Sequence, residues 1–176
     1  MSGAVDQIRN AIRDVPDFPK PGILFKDITP VLADPALFAA CVNLLAERLR
    51  DRRIDKVAAI DARGFLFGGA LARELDCGVV PIRKEGKLPW KTVSASYELE
   101  YGSNTLEIHR DAFQLGDRVV LVDDLLATGG TARACAHMIG ELGADLVEAQ
   151  FLVELAFLHG REQLGGIPVF APVVFE

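Results

Sequence analysis

The feature that most constrains the fold of this chain is an alternation of short β-branched runs with longer amphipathic stretches. The runs are too short for helices and are apolar along their length, which is typical of strands buried on both faces. The stretches between them have the apolar spacing of helices. The sequence therefore predicts an α/β fold with a mostly parallel central sheet flanked by helices. The predicted strands are Lys56–Ile60, Val79–Ile82, Val119–Val122 and Leu146–Val153, and the predicted helices are Phe65–Leu75 and Thr131–Leu142.

Two other patterns lie outside this alternation. Residues 4–13 and 35–50 have apolar side chains at helical spacing and are expected to form amphipathic helices. Between them, Pro19, Pro21 and Gly22 interrupt any helix, so we expect an ordered connector there. Residues 94–110 alternate on a two-residue period around a glycine-containing turn, which predicts an antiparallel hairpin projecting from the core. We expect a single domain over residues 1–176.

Composition limits the class of protein. Half of the 176 residues are apolar, which suits one domain with a sizeable core. The net charge of -6 disfavours a general nucleic-acid binder, because neutralising phosphates requires a basic face. Cys41, Cys77 and Cys135 lack metal-ligand spacing and are expected to be buried free thiols. No signal-peptide pattern or long apolar run is present, so we expect a cytoplasmic protein without a membrane span.

Polar or glycine-containing segments follow three of the predicted strands. The first strand is followed by DARG at 61–64, the second by RKEGK at 83–87, and the third by two acids and a glycine-containing turn. In an open parallel sheet, ligands bind beyond the carboxyl ends of the strands. We therefore expect the three segments to lie on one edge of the sheet and to form the functional site.

The segment after the third strand indicates a sugar-phosphate site. A loop of small residues leads into a helix, so its amide groups and the positive helix end can hold a phosphate. The two acids upstream, Asp123 and Asp124, would repel a bare phosphate but accept hydrogen bonds from the hydroxyls of a ribose. For the glycine loop alone, an ordinary strand-to-helix turn is the alternative; with the acid pair, the pattern indicates a ribose 5-phosphate. The loop residues are Ala127, Thr128, Gly129, Gly130 and Thr131.

The whole segment from Val119 to Thr131, VVLVDDLLATGGT, closely resembles the fingerprint of type I phosphoribosyltransferases, which bind 5-phosphoribosyl-1-pyrophosphate (PRPP). It differs from a Walker A loop, which requires a lysine after its second glycine. The resemblance implies that Asp123 and Asp124 contact the ribose hydroxyls and that residues 127–131 hold the 5′-phosphate.

PRPP also carries a pyrophosphate that is bound with Mg²⁺, so the resemblance implies a second anion site. Arginine and lysine side chains at the sheet edge can neutralise the charge that builds on the leaving pyrophosphate. For the lysines alone, a solvated loop is the alternative. Mg²⁺ is expected to be held mainly by PRPP, with no ligand directly from the protein. The implied residues are Asp61, Ala62, Arg63 and Gly64 in the pyrophosphate loop and Arg83, Lys84, Lys87 and Lys91 in the basic loop.

Three further segments resemble the adenine phosphoribosyltransferases of this family: residues 17–32, 83–102 and 153–164. The likeness therefore extends over nearly the whole chain. It implies transfer of the 5-phosphoribosyl group of PRPP to N9 of adenine, giving AMP and pyrophosphate, a step of purine salvage. It also implies a small N-terminal hood for base recognition at 1–34 and a flexible loop with a β-hairpin flap at 83–110.

The resemblance assigns the recognition of adenine to two places. The backbone around Leu24 and Lys26 is implied to read the adenine edge, and Arg63 is implied to pack against the ring with neighbouring apolar side chains. Lys26 stands where an arginine is expected in many relatives. If only the main chain is used there, the change is harmless, whereas a side-chain role would alter the affinity for the base.

The flap contains the implied catalytic group. Glu100 matches the family's proposed catalytic glutamate, which approaches N7 of adenine and manages its protons while N9 attacks C1 of the ribose. Tyr101 is expected to cover the bound substrate. From the residues alone, Glu98, Glu100 and Glu107 are solvated strand residues.

Two other functions remain open at this stage. A phosphoribosyltransferase for hypoxanthine, guanine or xanthine would share the fingerprint. A PRPP-sensing regulator that binds nucleic acid would share the fold, but the negative net charge and the missing basic domain disfavour it. The family is usually dimeric, so a homodimer is expected, with a partner's basic loop reaching the pyrophosphate site. His109, His137 and His159 lack metal-ligand spacing and receive no role.

Overall fold

The computed structural model describes residues 2–98 and 103–176. The chain divides into two compact units, one up to Leu44 and the other from Leu45 to Glu176. The helices are α1 (Ser2–Ala11), α2 (Thr29–Ala33), α3 (Pro35–Glu47), α4 (Gly64–Glu74) and α5 (Gly130–Glu141). The strands are β1 (Arg13–Pro16), β2 (Leu24–Asp27), β3 (Lys56–Ile60), β4 (Gly78–Lys84), β5 (Thr92–Glu98), β6 (Ser103–His109), β7 (Arg118–Leu126), β8 (Asp145–Leu155), β9 (Val169–Phe170) and β10 (Val173–Phe175).

The first unit contains a two-stranded sheet that the sequence did not predict. Strands β1 and β2 pair antiparallel within the expected connector. Arg13 is already aligned with Asp27 in this sheet, so α1 ends at Ala11 and not at residue 13. Helix α3 begins where expected, because the Asp34 carboxylate accepts hydrogen bonds from the amides of Ala36 and Leu37, at 2.8 and 3.0 Å.

The second unit is built on an eight-stranded sheet. Its order is β10-β8-β7-β3-β4-β6-β5, and β9 also pairs with β8. Strands β10, β8, β7, β3 and β4 run parallel, as does β9 beside β8, whereas β6 is antiparallel to both β4 and β5. The sheet is therefore mostly parallel, with the β5–β6 hairpin at one edge.

The core explains why the middle strands read as continuous apolar runs. Val119–Val122 of β7 are fully buried, because helices pack beside the sheet and water reaches neither face. Helix α4 packs on β3 and β7, and α5 packs on β5, β7 and β8. The prediction of an α/β fold with a mostly parallel sheet flanked by helices is confirmed.

Most predicted boundaries lie within two residues of the observed ones. The two larger differences are at the end of α3, which stops at Glu47 and not at residue 50, and at the end of β7. Strand β7 continues past Val122 to Leu126, because it stays paired with β8 as far as Leu126 beside Glu154. The two acids therefore lie on the strand and not in the loop after it. The hairpin is also confirmed, since β5 and β6 pair along their whole length.

Two expectations from composition can be compared with the structure. Cys41 and Cys135 are buried free thiols, and burial raises the pKa of Cys41 to about 12. Cys77 is only partly buried, because it lies in the connection between α4 and β4, so the expectation of burial is wrong for this residue. In the described ranges, no helix is long and apolar enough to cross a membrane.

Candidate functional site

The predicted functional segments meet at the carboxyl edge of the sheet. Strand β3 lies between β4 and β7, and all three run parallel. Ile60 at the end of β3 is aligned with Ile82 of β4, and the Asp61 amide donates a hydrogen bond to the Ile82 carbonyl at 2.9 Å. The three segments therefore begin at the same edge, as the sequence predicted.

The two acids of β7 have different surroundings. Asp124 is 5% exposed, and its carboxylate accepts a hydrogen bond from Arg63 Nε at 2.5 Å. Its amide donates to Asp123 Oδ1 at 2.8 Å. Both acids, together with Asp61, Ala62 and Arg63, line a cavity of about 270 Å³. The structure thus brings the predicted ribose residues and most of the predicted pyrophosphate loop into one cavity.

Asp123 is the more perturbed of the two carboxyl groups. Removal from water and the neighbouring Asp124 carboxylate raise the pKa of Asp123 well above its usual range. The Asp124 amide and the Arg63 cation only partly oppose this effect. An acceptor of this kind is suited to neutral donors such as sugar hydroxyls, which satisfy it without adding charge.

The predicted phosphate loop forms a second, smaller cavity of about 80 Å³. Its lining includes Asp123 from the acid pair and, from the loop, Ala127, Thr128, Gly129 and Thr131. Gly129 has φ = 82°, a left-handed conformation that favours glycine, and α5 begins at Gly130. The first amides of α5 have no earlier carbonyl of the helix to bind, so this helix end is chemically able to hold a phosphate.

Gly160, for which the sequence predicted no role, packs against the backbone of this loop. A Cβ atom at Gly160 would lie 2.0 Å from the Ala127 carbonyl oxygen, and a Cβ at Gly129 would lie 2.2 Å from the Gly160 carbonyl oxygen. The two backbones therefore touch, and neither glycine can be replaced without a shift. The sequence contained a signal for Gly160 only in the resemblance of residues 153–164, which gave it no function.

The pyrophosphate loop is also packed closely against β7. The Asp61–Ala62 peptide bond is cis, a geometry that the sequence could not reveal. Gly64 follows at the start of α4, where a Cβ atom would lie 2.9 Å from both Asp123 Oδ1 and the Val122 carbonyl oxygen. Glycine is therefore required here for the close approach of α4 to the acid pair.

The basic loop is joined to the pyrophosphate loop by Arg83. Its Nε donates to Asp61 Oδ2, and its Nη1 donates to the Lys87 carbonyl, each at 3.1 Å. Lys84, Lys87 and Lys91 are exposed. Arg83 is thus part of the same edge as Asp61, and the three lysines extend from the adjoining turn into solvent.

Of the predicted adenine residues, Arg63 lines the cavity of the acid pair, and the other two belong to the first unit. Leu24 and Lys26 are in β2 of the first unit, where Lys26 Nζ donates to Asp14 Oδ1 at 2.6 Å. Leu24 is half exposed. Glu100 and Tyr101 lie outside the described residues.

The parts of the chain that the structure describes contain no cluster of three or more His, Cys, Asp or Glu side chains able to hold a metal ion. Two of the carboxylates at the sheet edge are instead paired with arginines. Arg63 binds Asp124, and Arg83 binds Asp61.

Comparison with known proteins identifies the class that this fold and site define. Residues 27–164 match the family model described as "Phosphoribosyl transferase domain". The matched range contains the acid pair, the phosphate loop, the pyrophosphate loop and the basic loop. The chain belongs to the phosphoribosyltransferase family.

Individual relatives narrow the class. The adenine phosphoribosyltransferase of Syntrophotalea carbinolica is 54% identical over 171 residues, which cover 97% of this chain and 100% of the relative. The crystal structure of the adenine phosphoribosyltransferase from Thermoanaerobacter pseudethanolicus has a TM-score of 0.94 at 52% identity, covering 97% of this chain and 99% of that one. Within the family, the chain groups with the adenine phosphoribosyltransferases.

A third relative was crystallised with ligands. The Saccharomyces cerevisiae adenine phosphoribosyltransferase has a TM-score of 0.93 at 40% identity, covering 98% of this chain and 100% of that chain. It is complexed with adenine and with D-2,5-dideoxy-2,5-imino-altritol 1,6-bisphosphate.

Proposed function

We propose that the chain is a glycosyltransferase of the pentosyltransferase class that transfers the 5-phosphoribosyl group of PRPP to N9 of adenine, giving AMP and pyrophosphate. The observation that carries this proposal is 54% identity, over 97% of the chain, to an adenine phosphoribosyltransferase. The geometry supports the sugar-phosphate half independently, because an acid pair and a helix-start loop line two cavities that share Asp123. The reaction makes AMP by purine salvage.

The site supports a distribution of roles around PRPP. Asp123 and Asp124 accept hydrogen bonds from the ribose hydroxyls, and residues 127–131 hold the 5′-phosphate with amides and hydroxyls. The pyrophosphate lies at residues 61–64 and at Arg83, Lys84 and Lys87. These cations neutralise the charge that develops on the pyrophosphate as its bond to C1 breaks, while the anomeric carbon passes through an oxocarbenium-like state.

Recognition of adenine is assigned to the backbone of Leu24 and Lys26 and to Arg63, which packs on the ring. Because Lys26 Nζ is bound to Asp14, a main-chain role at this position is favoured, and a lysine in place of arginine is then harmless. Glu100 acts as the catalytic carboxylate at N7, and Tyr101 covers the substrate. Exclusion of water under the flap prevents hydrolysis of PRPP.

Magnesium enters this site with PRPP and is held mainly by substrate oxygens. The pairing of Asp124 with Arg63 and of Asp61 with Arg83 supports this proposal, because each of these two carboxylates already has a cationic partner. When bound, the ion supplies further neutralisation of the pyrophosphate.

The molecule is further proposed to act as a single phosphoribosyltransferase domain, with residues 1–34 as the hood and 83–110 as the loop and flap. We place it in the cytoplasm as a homodimer in which a partner's basic loop reaches the pyrophosphate site. The mass in solution, measured by light scattering, would be twice the 19.1 kDa of one chain.

The proposed function is tested by following pyrophosphate release from PRPP with adenine, hypoxanthine, guanine or xanthine, each with and without Mg²⁺. Adenine should be the preferred base, and chelation of Mg²⁺ should stop turnover. Glu100→Ala should lower kcat with little change in PRPP affinity. Preference for another base would change the assignment, and specific nucleic-acid binding without turnover of any base would replace it with the regulator.

A further inference from the structure

A carboxylate near the open end of the β5–β6 hairpin, Glu107, contacts both ends of the basic loop. Glu107 Oε2 accepts a hydrogen bond from the Gly86 amide at 2.9 Å, and Glu107 Oε1 accepts one from the Thr92 hydroxyl at 3.2 Å. Residues 86–92 are thus joined at their two ends by one side chain. Lys87 and Lys91 lie between these two points.

The fold places Glu107 where it can make both contacts. Strand β6 lies between β4 and β5, and Glu107 is aligned with Arg83 on one side and with Ser94 on the other. The residues it binds, Gly86 and Thr92, lie just beyond the end of β4 and at the start of β5. Its position on the central strand of the three therefore lets one carboxylate span the loop.

The same turn is fixed from its opposite side. Arg83 binds Asp61 and also the Lys87 carbonyl, while the Lys87 amide donates to the Lys84 carbonyl at 3.2 Å. Gly86 has φ = 75°, so the turn adopts a left-handed conformation at this residue. A continuous set of hydrogen bonds thus runs from the pyrophosphate loop through Arg83 and the turn to Glu107.

We propose that Glu107 is a positioning residue for pyrophosphate binding: it holds the turn that presents Lys84 and Lys87 beside Asp61. This inference rests on the proposed function, because it assumes that these lysines meet the pyrophosphate of PRPP. Glu107 itself touches no substrate. Its effect is to pre-organise flexible cations whose ordering would otherwise oppose binding.

The alternative effect of Glu107 is purely electrostatic, and it has the opposite sign. A carboxylate close to an anion site repels the anion, so its removal on this ground alone would strengthen pyrophosphate binding. Loss of the positioning effect would instead weaken pyrophosphate binding. The direction of the change therefore separates the two effects.

The experiment compares Glu107→Ala, Glu107→Gln and Glu85→Ala in both directions of the reaction. Glu107→Ala should raise the KM for PRPP and for pyrophosphate about tenfold, the change expected from loss of a charge-assisted hydrogen bond. The KM for AMP should change less than about twofold. Glu107→Gln removes the same charge but keeps an acceptor, so it should lie between Glu107→Ala and the wild type.

Glu85→Ala is the matched control, because Glu85 is an exposed acid of the same turn whose side chain makes no hydrogen bond or ion pair within residues 2–98 and 103–176. Its KM for pyrophosphate should stay the same or fall. Thr92→Val removes one of the two hydrogen bonds without changing the charge, and it should raise the KM for pyrophosphate by a smaller factor. Thr92→Val also replaces Glu107→Ala if that variant does not fold, which thermal unfolding would detect.

The inference is overturned if Glu107→Ala leaves the KM for pyrophosphate unchanged or lowers it, or if it raises the KM values for AMP and pyrophosphate equally. Turnover of adenine and PRPP by the wild-type protein is measured first. Its absence would contradict the proposed function without testing the positioning role of Glu107. In that case calorimetric titration with magnesium pyrophosphate compares the same variants, and equal affinities would reject the positioning role.

Discussion

Asp123 and Asp124 are neighbours in the sequence, but within the described part of the chain a cation binds Asp124 directly and none binds Asp123. The Arg63 guanidinium neutralises Asp124, while partial burial and the adjacent Asp124 carboxylate raise the pKa of Asp123. Placing an ionised carboxylate in such surroundings opposes folding, which is the usual cost of a site prepared for a ligand. Sugar hydroxyls would supply the hydrogen-bond donors that Asp123 needs.

Asp123→Asn is expected to stabilise the ligand-free protein at neutral pH and to lower kcat/KM for PRPP by about tenfold or more. The folded pKa lies above the unfolded value, which is about 3.9. Ionisation therefore costs stability above the unfolded pKa, increasingly until the pH passes the folded pKa, and costs nothing below about pH 4.

Urea unfolding of both proteins between pH 4 and 8 measures this dependence. The stability advantage of Asp123→Asn should increase with pH, whereas Asp111→Asn, at an exposed acid outside the site, should show no such trend. An advantage that shrinks as pH rises would contradict the raised pKa of Asp123.

At the scale of elements, the phosphate loop is positioned by a distant part of the chain. The loop between β7 and α5 touches the short helical turn Gly160–Leu164, and Arg133 Nη1 of α5 donates to Gln163 Oε1 at 3.1 Å. The loop is therefore held between the end of β7, the start of α5 and this turn. Its geometry therefore depends on residues outside the predicted phosphate loop.

Gly160→Ala tests this dependence. The added Cβ would lie 2.0 Å from the Ala127 carbonyl oxygen, so the loop must shift, with a loss of about 1–3 kcal/mol in the free energy of unfolding and a higher KM for PRPP. Gly140→Ala is the control, because a Cβ at this helical position in α5 meets nothing within 4 Å. It should stabilise by about 0.5–1 kcal/mol with unchanged KM. Wild-type stability and KM in Gly160→Ala would show that the contact does not constrain the loop.

The central strands could be predicted from the sequence because burial on both faces leaves an apolar run with sharp ends. The pair β1 and β2 could not, since its residues are largely exposed or partly buried and carry no clear alternation. Strands β9 and β10 have only two and three residues and depend on pairing with β8. The end of β7 was misjudged because Asp123 and Asp124 resemble loop residues, although pairing with β8 keeps them on the strand.

Part of the candidate site could also be predicted from the sequence. The residue types predicted the acid pair and the glycine-containing loop, and the usual position of ligands in parallel sheets predicted the edge at which they lie. The support by Gly160 and the two contacts of Glu107 could not be predicted, because each joins segments that are distant in sequence. Glu107 was expected to be solvated, and this expectation is wrong, since its carboxylate is bonded to Gly86 and Thr92.

On the scale of the whole molecule, a net charge of -6 conceals a local excess of cations. Arg83, Lys84, Lys87 and Lys91 lie close together in sequence, and the lysines are exposed. Such a cluster can attract a polyanion to the sheet edge, although the chain as a whole carries a net negative charge. The basic loop also contains the only tryptophan, Trp90, whose side chain is 63% exposed.

Trp90 should therefore report closure of the basic loop over PRPP. We expect saturating PRPP with Mg²⁺ to shift its emission to shorter wavelength, because closure removes the indole from water. Mg²⁺ alone should have no effect, and Trp90→Phe should abolish the signal. Unchanged emission at saturating PRPP would contradict movement of this loop.

The contact between Gly129 and Gly160 has a consequence for how this sequence can evolve. A Cβ atom at Gly129 would meet the Gly160 carbonyl, and a Cβ atom at Gly160 would meet the Ala127 carbonyl and, at 3.0 Å, the Gly129 amide nitrogen. A single substitution at either site is therefore blocked unless the facing backbone moves, so substitutions at the two positions are expected to be coupled. Lineages that change their affinity for the sugar phosphate are expected to alter residues around 160 together with the loop itself.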